Sequence, residues 1–177
     1  SFGNNVLDTS LTITGGNMVT DTIYAQFDDA TVTPKMSAVE KLYIQNEDTS
    51  VITMSGITGL TTVYVDDDGT TSDLTLTDLG SGVNVELVSG AAVSLDIDLE
   101  LKTALDNVLN LEINANTGTS NIDIADVETL NLAVETAASV NLDGLSMTTA
   151  STTSTLNVTG DTALTVTALH ADVTTVD

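Results

Sequence analysis

Asp66-Asp67-Asp68-Gly69, with Asp73 four residues after the glycine, is the longest unbroken run of carboxylates in the chain. Hard cations such as Ca²⁺ take oxygen ligands from carboxylates and turn carbonyls, and this run offers both. The EF-hand spacing is not met, because no Glu falls at the twelfth position of the loop. A second group, Asp96, Asp98 and Glu100, alternates in sequence. On a strand that places all three on one face, with neighbours ~6.8 Å apart. At an effective dielectric near 20 each adjacent pair repels by roughly 2.4 kcal/mol, against ~0.6 kcal/mol in bulk water. A solvated face tolerates that repulsion, whereas a packed interface needs a cation. Asp66, Asp67, Asp68, Asp73, Asp96, Asp98 and Glu100 are therefore the expected calcium ligands, set against plain solvated turns and faces. Asp28-Asp29 and the pair Asp123/Asp126 supply fewer oxygens.

Catalysis is poorly supplied. Nucleophile–base chemistry needs a base, usually His, held by a third group. His170 is the only histidine, and its simplest reading is a corner side chain. Glycoside hydrolysis needs paired carboxylates, which are abundant. Sugar sites also want aromatic platforms, and the chain has only Phe2, Phe27, Tyr24, Tyr43 and Tyr64. Lyases acting on acidic sugars would want clustered basic residues, and none occur. The expectation is a protein that is not an enzyme.

The elements that must position these groups are written in the composition. Apolar content is 41%, supplied almost wholly by Val, Leu, Ile and Ala, and aromatics are 3%. A chain rich in Val, Ile and Thr suits a pleated, half-buried surface, so strands are favoured over helices. Twenty-six acidic residues face three lysines, Lys35, Lys41 and Lys102, for a formal charge of −23. Such a surface repels nucleic-acid phosphates and anionic headgroups, so no nucleic acid is expected as a partner. It also opposes compactness, which divalent counter-ions would relieve. Cysteine is absent, which rules out disulfides and thiolate metal sites. No apolar run approaches the ~20 residues of a spanning helix, so no membrane insertion is expected. The opening SFGNNVLD shows no signal-peptide pattern, which suggests a processed chain or part of a longer one.

A short phrase recurs. Met36, Val39, Leu42 and Ile44 align with Ile57, Leu60, Val63 and Val65, and with Ile124, Val127, Leu130 and Leu132. The spacing is three, three, two. A step of two is the strand period, and a step of three across a small polar pair suits a tight corner. Alternating runs such as Val83-Asn-Val85, Leu109-Asn-Leu111 and Leu156-Asn-Val158 fill the intervals, with a fuller unit near 20 to 26 residues. Self-similarity of that period marks a solenoid. The expected fold is all-β, a parallel β-helix (β-solenoid) of about eight rungs forming a single domain over 1–177. A β-sandwich is the alternative, disfavoured by scarce aromatics and by Asp-Gly turns at only two places. Leu101, Ala104, Leu105, Val108 and Leu109 fall at helical spacing, so an irregular insertion is expected near 99–109. Tyr43 and Tyr64 take the same outward position and should stack, with Asn131 and Asn157 in equivalent places. The Thr-x-Thr pairs Thr12/Thr14, Thr31/Thr33, Thr75/Thr77 and Thr165/Thr167 suggest ice-binding faces but share no constant rung position. The last phrase, His170, Val173 and Val176, stops before its inward strand residue. Open rungs expose backbone edges, so the chain is expected to be a segment of a longer protein or to be capped by neighbouring copies.

Ala125-Asp-Val-Glu-Thr-Leu-Asn-Leu132 and Thr155-Leu-Asn-Val-Thr-Gly-Asp-Thr-Ala-Leu-Thr-Val166, on a Cys-free, Thr-rich, Arg-free background, resemble the S-layer proteins of Gram-negative bacteria, the type I-secreted, RTX-related kind. The resemblance covers most of the chain in texture and a few phrases in detail. It implies a calcium-stabilised β-solenoid in a secreted cell-surface coat, extracellular, self-associating into a homo-oligomeric lattice. Cell-surface polysaccharide reached through calcium is a further implied partner. The RTX nonapeptide is absent: Gly15-Gly16 is followed by Asn17-Met-Val-Thr-Asp21, so no RTX calcium site carries over. The alternative function is a non-enzymatic extracellular adhesin.

Overall fold

The structure, a computed structural model, describes residues 7, 10–16, 20–67, 73–88, 94–99, 106–114, 119–135, 139–148, 154–169 and 171–177. For 67, 94–99, 119–121 and 139–148 it describes the backbone alone. The fold is the expected parallel β-solenoid, and every strand pair is parallel. Successive strands turn corners into three stacks. Sheet I has eight strands: Thr22–Phe27, Lys41–Asn46, Thr62–Asp67, Asn84–Leu87, Val108–Ile113, Thr129–Val134, Ser154–Thr159 and Val173–Val176. Sheet II has seven: Thr31–Val32, Ser50–Thr53, Asp73–Leu79, Ser94–Leu99, Thr119–Ala125, Ser139–Thr148 and Ala163–Val166. Sheet III has three short strands, Thr12–Thr14, Lys35–Ser37 and Ile57–Thr58. Among the described residues no helix is long and apolar enough to cross a membrane.

Alternation explains why these residues make these sheets. In Lys41–Asn46, Val108–Ile113 and Thr129–Val134 every second side chain is buried, the pattern of a strand with one face on a core. The buried set forms columns along the stack. Ile23, Leu42, Val63, Val85, Leu111, Leu132 and Val158 follow one another in register, beside Ala25, Ile44, Val65, Leu87, Ile113 and Val134. Branched aliphatics of similar size repeat at each level, which lets a narrow interior close without large rings.

The corners have a common chemistry. Asp29, Ala38, Gly59, Asp78 and Asp126 all have positive φ, between 47° and 89°. Each lies one residue before an apolar side chain that folds inward, Ala30, Val39, Leu60, Leu79 or Val127. The left-handed residue turns the chain by the sharp angle that a step of three requires. Gly and Asp suit that conformation, and Ala38 is the exception in residue type.

The structure corrects the alignment of the third phrase. Val63 continues through Val85 and Leu111 to Leu132, not to Leu130. In all three phrases the left-handed residue stands two positions after the first apolar one, but the third phrase leads out of sheet II where the others leave sheet III, and its sheet I strand starts two register positions earlier. A slip of two leaves every side chain on its own face, so the apolar pattern does not reveal it. Its consequence is a change in the core. The early strands carry a column of Phe27, Asn46 and the Asp67 register position. The later ones carry Leu109, Leu130 and Leu156 at the opposite edge. Within the expected irregular stretch, Leu99 ends one strand and Val108 and Leu109 begin another. The positions 100–105 between them lie outside the described residues. Of the Thr-x-Thr pairs, Thr12 and Thr14 are in sheet III, whereas Thr31, Thr75 with Thr77, and Thr165 are in sheet II strands, where Thr31 and Thr75 share a register column through Val51.

Candidate functional site

The outer face of sheet I carries two ladders built by the register alone. Tyr24, Tyr43 and Tyr64 occupy one column. Tyr43 and Tyr64 stack as expected, with centroids 6.0 Å apart and planes at 25°. Tyr24 extends the stack at 5.2 Å and 32°. Its signal was in the sequence: Ile23-Tyr-Ala-Gln26 repeats the pattern of Leu42-Tyr-Ile-Gln45, but at 19 rather than 21 residues. The hydroxyl of Tyr43 donates to Asp66 Oδ2 at 2.7 Å. Lys41 Nζ donates to the Tyr64 hydroxyl at 3.3 Å and lies 5.6 Å from that ring's centroid, within cation–π reach. Burial, then the hydrogen bond to Asp66 and that carboxylate's charge, with a smaller push from Tyr24, raise the Tyr43 phenol to about 12. Thr22, Lys41, Val88 and the three tyrosines enclose a shallow recess of about 300 Å³.

The second ladder is of amides. Asn84, Asn110, Asn131 and Asn157 lie in register. Each Nδ2 donates to the Oδ1 of the asparagine before it, at 2.8 Å in all three steps. Asn131 and Asn157 thus do not continue the tyrosine column, as the sequence suggested; that column runs Tyr64, Glu86, Glu112, Ala133, Thr159. The correction follows from the same two-residue slip. An amide has two donors and two acceptor lone pairs, so each asparagine within the ladder retains one of each for a partner. Asn114 Nδ2 donates to both Glu86 Oε1 and Glu112 Oε1, clamping the two carboxylates of adjacent strands.

The expected metal ligands are spread over two sheets. Asp66 is in sheet I and Asp73 opens the next strand, in sheet II, with positions 68–72 between them outside the described residues. Asp67 ends its strand, and Asp68 lies outside the described residues. Asp96 and Asp98 are in the sheet II strand Ser94–Leu99, and Glu100 lies outside the described residues. The register sets Asp96 beside Asp123, which brings together two sequence candidates 27 residues apart. Asp126 is in a corner and Asp28-Asp29 in another. Among the described residues no three His, Cys, Asp or Glu side chains gather closely enough to hold a metal ion. His170 lies outside the described residues.

Two buried side chains with unpartnered polar atoms were not foreseen. Asn46 is 0% exposed, and neither its Oδ1 nor its Nδ2 has a hydrogen-bond partner. It sits at an inward strand position, between Phe27 and the Asp67 register position. Glu128, 8% exposed, accepts from the Asn107 backbone N–H through Oε2 at 2.9 Å, while Oε1 is unpartnered. Glu40 caps the Asp21 N–H in the same way at 2.7 Å. No protein-family model matches the chain, and no curated protein or solved structure matches it.

Proposed function

We propose that this chain is a structural, non-catalytic β-solenoid that self-assembles into a lattice at a bacterial cell surface, in the manner of the S-layer proteins its phrases resemble. The observation that supports this most is the register of sheet I, continuous from Thr22–Phe27 to Ser154–Thr159. Two side-chain ladders run along the face of these seven strands, a repetitive surface suited to repetitive association. With a formal charge of −23, lateral contact elsewhere needs cations between carboxylates. Calcium bridging the acidic faces, through Asp66, Asp67, Asp68 and Asp73 or through Asp96, Asp98 and Glu100, is the proposed means. Asp123 joins the second set by its register with Asp96. Polysaccharide of the cell surface, held through the same cation, is the proposed anchor, and an extracellular location goes with it.

A calcium titration followed by pelleting tests the reading. Assembly that appears with millimolar calcium and reverses on chelation supports it. Asp96→Asn with Asp123→Asn should raise the calcium needed. Chains that stay dispersed at all calcium concentrations and adhere to a foreign surface would favour the adhesin instead.

A further inference from the structure

We propose that Asn46 is a ligand to a calcium ion held inside the solenoid, at the corner between sheets I and II, with Asp67 as its partner on the next strand. The inference goes beyond the assembly reading and does not need it, because this ion belongs to a single chain. Two polar residues face inward at this corner. Asn46 is the last inward residue of Lys41–Asn46 and Ser50 the first of Ser50–Thr53, at 0% and 1% exposure. On the rung before, the same places hold Phe27 and Ala30. Ser50 spends its hydroxyl on the backbone, accepting from the Ala30 N–H at 3.3 Å and donating to the Asp48 carbonyl at 3.4 Å. Asn107, the other buried asparagine, donates through Nδ2 to the Asp126 carbonyl at 2.8 Å. Asn46 has no such outlet, for neither its Oδ1 nor its Nδ2 is bonded. A bare buried amide carries its full desolvation penalty, so this one points to a ligand.

The register names the ion's second donor. Asp67 stands opposite Asn46 on the following strand, in the middle of the run Asp66-Asp67-Asp68. A carboxylate at that place in the column needs a positive partner. Neither described lysine supplies it: Lys41 is engaged with Tyr64 on the outer face, and Lys35 is exposed in sheet III. A metal ion fits the spacing. Adjacent strands lie ~4.8 Å apart and calcium–oxygen bonds are about 2.3–2.6 Å, so one ion midway between two in-register residues reaches an oxygen of each. The chemistry fits as well. An amide Oδ1 and a carboxylate are both hard oxygen donors, and the amide adds no like charge to repel the carboxylate. Waters complete the shell, and one of them can accept from Nδ2. With an amide among its ligands, the site forms without the gathering of three acidic side chains that the described residues lack.

Calorimetric titration of the full chain with calcium alone tests the proposal, at a dilution where sedimentation shows a monomer and in salt that screens weak surface binding. Asn46→Leu should weaken the tightest site on the order of ten-fold or more, and Asn46→Asp should keep it. Thermal unfolding adds a readout that packing alone would not move. In chelator Asn46→Leu should be the most stable of the three chains and Asn46→Asp the least. Calcium should raise the parent and Asn46→Asp far more than Asn46→Leu. If Asn46→Asp does not fold in chelator, the parent and Asn46→Leu carry the comparison. A tight site and a calcium-induced shift that are the same in Asn46→Leu as in the parent overturn the proposal, as does a parent monomer that binds no calcium. A monomer that binds calcium through Asn46 and never assembles keeps this site and removes the calcium lattice. Calcium-driven assembly with a tight site indifferent to Asn46→Leu keeps the lattice and removes this site.

Discussion

Residues up to Asp67 and residues from Asp73 onward solve the same packing problem differently. The first region has a third sheet, a column of Phe27 and Asn46 in its interior, and tyrosines outside. In the second, sheet III is absent among the described residues, the interior gains Leu109, Leu130 and Leu156, and asparagines stand outside. The two-residue slip links the changes. Moving the strand start back by two exposes a new inward position at one edge and retires one at the other. A leucine column replaces one that holds a buried amide. At this strand edge the first region therefore leaves both polar atoms of a buried amide unpartnered, while the second places leucine there and, among its described residues, has its one unpartnered buried oxygen, Glu128 Oε1, in a corner instead. Outside, the same shift decides which outward column meets a polar residue at each level.

The largest effect should come from breaking the second region. Leu130→Ala removes a fully buried side chain from the middle of its column and should cost about 2–5 kcal/mol, read by chemical denaturation. The opposite sign is expected in the first region. Asn46→Leu replaces an amide with two unpartnered buried atoms and should stabilise by about 1–3 kcal/mol. If Asn46→Leu instead destabilises, the amide has a ligand in solution, and the contrast between the regions changes meaning. Next in size, Asn131→Ala breaks two steps of the amide ladder and should cost roughly 1–2 kcal/mol.

The smallest effect is one of pH and belongs to the tyrosine ladder. The Tyr43 phenol is raised from 10.0 to about 12 in the folded chain. The folded state then holds a proton that the unfolded state loses first, so stability falls as pH rises through that window. Below pH 10 the contribution is fully present. Tyr43→Phe should flatten the loss between pH 10 and about 12, as measured by thermal unfolding across that range.

Much of this is legible in the sequence. The phrase Met36–Ile44 and its partner Ile57–Val65 align in the structure as they do in sequence, because both corner and strand keep the same length. The corners were readable as steps of three, and their cause is a left-handed residue that Gly59 and Asp126 favour. The third phrase misled because a period of two cannot register a shift of two. That one ambiguity also misplaced Asn131 and Asn157. Runs with an asparagine between two branched aliphatics were visible, but only the register shows that four of them form a ladder while Val140-Asn-Leu142 belongs to sheet II. Asn46 was hidden because an asparagine ending a strand reads as a turn residue. Of the carboxylates, spacing along the chain suggested Asp96 with Asp98, whereas stacking adds Asp123, a neighbour that no local motif contains.

The most direct test of the account is an electron micrograph of the purified chain in millimolar calcium and again after chelation. Ordered sheets or tubes that dissolve on chelation are the predicted result. Single dispersed rods in both conditions would contradict assembly as the function of this solenoid.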